Sequence, residues 1–318
     1  MSDWRSFDRS ARHEIASSQC AGLRLVLRQR GTGSPVLFVH GATFSGRIFD
    51  IPHPDANWLD AAARAGVAAY ALDIRGYGLS KPVGVVADAP YATGTEAVAD
   101  IADAVDWISA RHGGARVAVV GWSWGSVTSA RYVLGAGRGR VAALALYAPI
   151  FATPNAAWRA LLSDPDAPGR PRAFGPFRRV TPQDVRARWD AQMPPGATWR
   201  REGVLDALVE ASIEDDTPGA DAFRVPNGAF MDLWACFNGR PLHDPAGIDC
   251  PTLLIRGAQD PTSTRGDALA LFDRLGAEDR SYVEIAGGTH FVNAEIRGAT
   301  LFEAVHAFLH RTMAQPPG

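Results

Sequence analysis

Short runs of aliphatic and aromatic residues alternate along the chain with longer segments in which apolar positions recur every three or four residues. LRLVLRQ (23–29), PVLFVHG (35–41), VAAYALDIRG (67–76), RVAVVGW (116–122) and VAALALYAPI (141–150) read as strands. The last three are almost continuously apolar, as strands are when both faces of their sheet are covered. Helical spacing fills the intervals near 57–66, 94–111 and 124–135. LRLVLRQ ends at Gly31 and Gly33 and PVLFVHG follows at once, so these two strands are expected to pair as a hairpin. The strand signal returns at PTLLIRGAQD (251–260) and SYVEIAGG (281–288), and ATLFEAVHAFLHRTM (299–313) closes the chain with helical spacing. Alternation of this kind predicts an α/β fold, a mostly parallel sheet flanked by helices.

The interval 151–250 has a different character. Proline and arginine cluster in 154–182, and helix-like segments then begin at TPQDVRARW and REGVLDALVEA. Thr181, Pro182 and Asp184 have the order of an N-cap, a first-turn proline and an acidic first turn. Further on, VPNGAFMDLWACFNG places Phe230, Trp234 and Phe237 on one helical face. The expected organisation is a core formed by 1–150 and 251–318, with 151–250 inserted as a mainly helical cap.

Composition narrows the partners. With a net charge of −2 and a pI near 6.4 there is no basic field for nucleic acid. Lys81 is the only lysine and follows Ser80 rather than glycine, which excludes a Walker phosphate loop. Cys20, Cys236 and Cys250 are odd in number and lack metal-site spacing, so reduced thiols are expected. Neither an apolar leader region nor a run of 18 apolar residues occurs. The expectation is a cytoplasmic protein with no membrane partner.

The chemistry concentrates at Gly121-Trp122-Ser123-Trp124-Gly125, a G-x-S-x-G motif between an apolar strand and a plausible helix. A strand turning sharply into a helix strains its apex residue and needs small neighbours two positions away on either side. Ser123 would then project from the carboxyl edge of the sheet.

With HGATFSG (40–46), LDIRGYGLS (72–80), IRGAQDPT (255–262) and GGTHFVN (287–293) falling in order around this motif, the chain resembles the α/β-hydrolase fold superfamily along nearly its whole length. The resemblance implies a serine hydrolase with Ser123 as nucleophile, His290 as base and Asp260 as the acid that orients it, Asp232 being the alternative acid. It further implies an oxyanion hole of the Trp124 and Ala42 N–H groups, with Thr43 next, a structural His40, and a loop around Asp73 and Arg75 that braces the site. No cofactor or metal is called for. His306 and His310 have ligand spacing, but Ala307 stands where a zinc protease would need glutamate. His13, His53, His112 and His243 read as solvated.

Phe44, Ile48, Phe151, Trp158 and Phe291 adjoin these motifs and are candidates for an apolar substrate pocket, together with Phe230 and Trp234 of the cap. Trp122 is expected either to wall that pocket or to wedge the elbow against the core. Arg47 is a candidate partner for a substrate carboxylate. The Trp-bearing elbow also resembles that of haloalkane dehalogenases and epoxide hydrolases, except that they carry Asp where this chain has Ser123. An acyl ester intermediate follows from that difference. The expected partners are therefore water and a small to medium carboxylic ester, apolar or aromatic. A half-ester is one such substrate, since the elbow and the spacing of Ser123, Asp260 and His290 are similar to those of bacterial monoalkyl phthalate hydrolases. The alternatives are a carbon–carbon bond hydrolase or lyase using the same three residues, and a non-catalytic binding protein of this fold.

Overall fold

The computed structural model describes residues 4–84 and 86–313. Its central sheet has eight strands: β1 (Ala11–Ala16), β2 (Arg24–Arg30), β3 (Ser34–Val39), β4 (Val67–Asp73), β5 (Val117–Trp122), β6 (Val141–Tyr147), β9 (Thr252–Gly257) and β10 (Arg280–Ile285). They lie in the order β1-β2-β4-β3-β5-β6-β9-β10, with β1–β2 and β2–β4 antiparallel and the remaining pairs parallel. β4 and β5 have every residue buried, as their apolar runs require.

The hairpin expected of β2 and β3 does not form, because β4 lies between them. The link between them crosses the start of β4 on two left-handed glycines. A Cβ at Gly31 would lie 2.4 Å from the Val67 carbonyl oxygen, and one at Gly33 would lie 2.1 Å from that of Gly66. What reads in sequence as a turn is a close backbone crossing.

Helices α1 (Trp58–Arg64), α2 (Gly94–Arg111), α3 (Trp124–Leu134) and α9 (Gly298–Met313) cover the sheet. From β3 the chain moves to β4 in one direction, and from β5 to β6 in the other. Right-handed crossovers therefore put α1 and α3 on opposite faces. α9 packs with α1, and α2 with α3. Beneath α1 and α9, the Trp58 ring meets Phe38, Phe49, Tyr147 and Phe302. The reversal of direction between β3 and β5 opens a crevice at their carboxyl ends.

Between β6 and β9 run α4 (Ala156–Leu162), β7 (Phe177–Val180), α5 (Pro182–Asp190), α6 (Val204–Asp216), β8 (Phe223–Pro226) and α7 (Gly228–Phe237), with β7 and β8 paired antiparallel as a separate ribbon. The start of α5 is as the sequence predicts: Thr181 and Asp184 form a capping box with Pro182 in the first turn. α8 (Arg265–Phe272) connects β9 to β10. No helix among the described residues is long and apolar enough to cross a membrane.

Candidate active site

β5 ends at Trp122 and α3 begins at Trp124, which leaves Ser123 alone at the turn with φ 58° and ψ −121°. Such a conformation costs a non-glycine residue about 1–3 kcal/mol and persists only where its surroundings enforce it. Here they do. A Cβ at Gly121 would lie 2.4 Å from the Gly125 carbonyl oxygen, and one at Gly125 would lie 2.3 Å from that of Val39. Only glycine at both positions lets α3 start directly against β5 and β3. The Ser123 N–H donates to the Tyr147 carbonyl at 2.9 Å, and the Ser126 hydroxyl donates to the Ser123 carbonyl at 2.5 Å.

Two strand ends bring the partners of Ser123. His290, after β10, lies with Nε2 2.9 Å from the Ser123 Oγ, and its Nδ1 is 2.7 Å from Asp260 Oδ2, after β9. The other carboxylate oxygen of Asp260 accepts from the N–H groups of Thr262 at 2.8 Å and Ser263 at 2.9 Å. An ionised carboxylate only accepts, so the Asp260 contact puts the imidazole proton on Nδ1 and leaves Nε2 to accept from the serine.

The loop carrying His290 is held from several sides. Trp122 Nε1 and the Tyr147 hydroxyl both donate to the His290 carbonyl, at 3.1 and 3.0 Å. Its own N–H donates to Gln192 Oε1 at 3.1 Å, just beyond α5. Glu295, whose pKa burial raises, accepts from the Thr289 N–H at 2.9 Å and from Trp189 Nε1 of α5 at 2.8 Å. Asp232 does not reach this histidine. Its Oδ2 accepts from Trp124 Nε1 at 2.9 Å and from Arg131 at 3.3 Å, so it fixes the indole that follows the nucleophile.

Across the crevice, the loop after β3 presents Ala42 and Thr43. Among the described residues the backbone N–H groups of Ala42, Thr43 and Trp124 donate to no protein acceptor. His40 anchors this loop from within. Its Nε2 accepts from the Ile74 N–H at 3.1 Å, so the proton sits on Nδ1, which donates to the Gly41 carbonyl at 2.8 Å. Burial pushes its pKa down to about 4, so the ring is neutral. Asp73 accepts from the Gly46 and Leu79 N–H groups, and Arg75 is paired with Asp100.

A cavity of about 530 Å³ opens between this loop and the inserted segment, next to Thr43, Phe291 and the Pro261–Thr262 turn that follows Asp260. Phe44, Trp158, Phe230 and Phe291, candidates from the sequence for an apolar substrate pocket, line it. Trp122 is buried behind the site, packed on Tyr147, His290 and Phe291, so of its two expected places it takes the wedge. Phe151 packs against His243 and Arg274, and Trp234 donates to the Ser163 hydroxyl at 3.1 Å under Arg240. Arg47 is fully buried, its Nε and Nη2 on Asp215 at 2.8 Å and its Nη1 on Asp8 at 3.0 Å. It faces interior carboxylates rather than a ligand. His243, expected in solvent, has neither ring nitrogen hydrogen-bonded, and burial takes its pKa to about 4.

The sequence reading missed Arg178, Arg188 and Gln192, all of which line the cavity. A signal existed for Arg188. It stands three residues after Val185, one of the two buried side chains of α5, and so lies beside it on the same side of the helix.

The chain belongs to the alpha/beta hydrolase family, whose model matches residues 36–304. Among solved structures it is similar to a thermophilic esterase from Thermogutta terrifontis, with a TM-score of 0.63 and 18% identity over 95% of this chain and 99% of that one. A serine hydrolase involved in carbazole degradation gives a TM-score of 0.66 at 18% identity, covering 95% of this chain and 100% of that chain. An epoxide hydrolase from Vigna radiata gives 0.65 at 17% identity, covering 95% and 98%. These likenesses extend to the fold. No curated protein matches the chain.

Proposed function

We propose that the protein hydrolyses a small to medium carboxylic ester through an acyl-enzyme on Ser123. The observation that carries this reading is the continuous line from Ser123 Oγ to His290 Nε2 at 2.9 Å and from His290 Nδ1 to Asp260 at 2.7 Å. A serine hydroxyl is a weak nucleophile at neutral pH, and a base in this position with a fixed tautomer overcomes that weakness. In the first half-reaction Nε2 takes the hydroxyl proton as Oγ bonds to the ester carbonyl carbon. The resulting imidazolium lies against the Asp260 carboxylate. Collapse of the tetrahedral intermediate breaks the bond to the alcohol oxygen, which leaves with the proton from Nε2. Water then repeats the sequence on the acyl-enzyme, and the carboxylic acid departs.

The N–H groups of Trp124 and Ala42, with Thr43 beside them, are the donors for the oxyanion, and each such donor is worth about 3–4 kcal/mol in the transition state. Residues 151–250 act as the cap, supplying Trp158, Phe230 and the arginines to the cavity wall. Ser123, rather than an aspartate, makes the intermediate an acyl ester and directs the chemistry to carbonyl substrates rather than epoxides or alkyl halides.

The test is hydrolysis of p-nitrophenyl acetate together with labelling by a fluorophosphonate. The wild-type protein turns over the ester and is labelled on Ser123, and Ser123→Ala lowers kcat by about 10⁴-fold or more. Retention of most of the activity by Ser123→Ala, or labelling at another residue, rejects the mechanism.

A further inference from the structure

Two cations in the cavity wall form no ion pair among the described residues. They are Arg178 in β7 and Arg188 in α5, both half-buried. Arg179, next in sequence and also at the cavity, is paired with Asp221. Asp184 is the one carboxylate on the wall among the described residues, and its Oδ2 is engaged by the Thr181 N–H at 2.9 Å and hydroxyl at 2.7 Å.

The arginines are held in place by neutral groups. Arg178 donates through Nη1 to the Pro226 carbonyl and Asn227 Oδ1, both at 3.0 Å, and through Nη2 to the Ala42 carbonyl at 2.6 Å, while lying 4.1 Å over the Phe230 ring. Arg188 donates through Nη1 to the Thr43 hydroxyl at 2.9 Å and lies between the Trp158 and Phe291 rings, at 5.4 and 5.5 Å. That single contact leaves its Nε and Nη2 without an acceptor among the described residues. Burial lowers the pKa of both groups to about 10, with only Asp260 opposing the fall at Arg188, so both remain cationic at neutral pH. Sequestered cations without a counter-ion are costly, and a fold retains them where something anionic completes them.

Their position says what that is. Arg178 and Arg188 touch consecutive residues, Ala42 and Thr43, of the loop that also faces Ser123. An anion on the two guanidinium groups would therefore sit a short distance from a carbonyl on Ser123. We propose that Arg188 and Arg178 form a carboxylate subsite and that the substrate is a half-ester of a dicarboxylic acid, its linker lying against Phe44, Trp158, Phe230 and Phe291. The ester half is cleaved as described above, which proposal this one rests on, and the product is the dicarboxylate with the alcohol. A guanidinium accepts a carboxylate on two parallel N–H bonds, whereas a neutral ester or amide satisfies at most part of that fork.

Calorimetry on the Ser123→Ala protein tests the subsite without turnover, comparing monoethyl phthalate and monoethyl succinate with their isosteres in which a carboxamide replaces the carboxylate. At least one half-ester is expected to bind about tenfold or more tightly than its isostere. Adding Arg188→Gln should reduce that ratio to about one, and Arg188→Lys should retain part of it. Equal binding within both pairs overturns the proposal, and so does a preference that survives both Arg188→Gln and Arg178→Gln. If the arginine variants do not fold, the ratio in the Ser123→Ala protein alone decides. A carboxylate preference in a protein that hydrolyses no ester would keep the subsite and reject the serine mechanism, so the two failures are separable.

Discussion

The segment 151–250 meets the rest of the molecule through arginine at two junctions. At the first, Arg28 of β2 and Arg47 of the loop after β3 are fully buried beside Asp50 and Asp73, and Asp215 at the end of α6 closes on both at 2.7 and 2.8 Å. Burial alone would raise the Asp215 pKa, but the two guanidinium groups hold it below the ordinary carboxylate value. At the second, Arg178 and Arg188 reach the core through a carbonyl and a hydroxyl and form no ion pair with a carboxylate among the described residues. The first junction pairs its charges within the chain, although Arg28 Nε and Nη1 and Asp50 Oδ2 make no hydrogen bond there, and it serves docking. The second is completed only from outside, and the stability it forgoes is what a binding site forgoes before its ligand arrives.

Removing a partner at the first junction should give the largest effect on stability. Asp215→Asn removes the nearest carboxylate of both Arg28 and Arg47, leaving Arg28 to Asp73 and Asp50 and Arg47 to Asp8 and Asp50, and Arg47→Met leaves Asp215 to Arg28 and Asp8 to Arg12. Each should cost about 3 kcal/mol in urea unfolding, because breaking a buried ion pair leaves its partner only partly compensated and costs more than the pair contributes. Ester hydrolysis by the protein that remains folded should change little, since neither residue lines the cavity. A large fall in kcat at full folding would show that the junction does more than dock α6.

The site is also pinned by a neutral histidine, which makes its scaffold sensitive to acid. The folded pKa of His40 lies at about 4 because of burial, below its unfolded value near 6.5. Between those values the unfolded chain binds a proton that the folded chain does not, so stability present above pH 6.5 is lost as the pH falls towards 4. The loss has a ceiling of about 3 kcal/mol for this one group. His243 and His306, likewise taken by burial to about 4, act in the same direction. Unfolding free energies at pH 7, 5.5 and 4.5 check the sign. His243→Leu should flatten the slope, because it removes one titrating ring whose nitrogens make no hydrogen bonds.

Legibility in the sequence follows the same divide. β4, β5 and the elbow announce themselves because full burial and close backbone approach admit few residue types: aliphatic runs in one case and paired glycines in the other. Ser123, Asp260 and His290 could be found because each follows a strand and is embedded in local punctuation. Strand order could not be read at Gly31–Gly33, where a crossing over β4 and a hairpin turn demand the same glycines. β1, with one residue of six buried, carries no apolar pattern to detect, and β7 and β8 are too short, at four residues each, for theirs to stand out. The arginines were hardest. Arg47 is adjacent in sequence to the loop facing Ser123, yet its partner Asp215 lies 168 residues away, and nothing local signals that pairing. Arg188 reaches the cavity only because α5 turns its Val185 side inward.

The smallest expected effect is the most telling. Arg188→Met makes the same chemical change as Arg47→Met but at the other junction, so the pair compares a half-buried guanidinium with a fully buried one, the substitution held constant. At Arg188 the change deletes one hydrogen bond, to Thr43, worth about 1 kcal/mol, and also removes a cation that burial disfavours. The thioether stem can still pack between Trp158 and Phe291. These opposing contributions should leave the unfolding free energy within about 1 kcal/mol of the wild type, or above it. If Arg188→Met were instead to cost as much as Arg47→Met, Arg188 would be a docking residue like its counterpart. The difference between the junctions would then be one of partner chemistry and not of purpose.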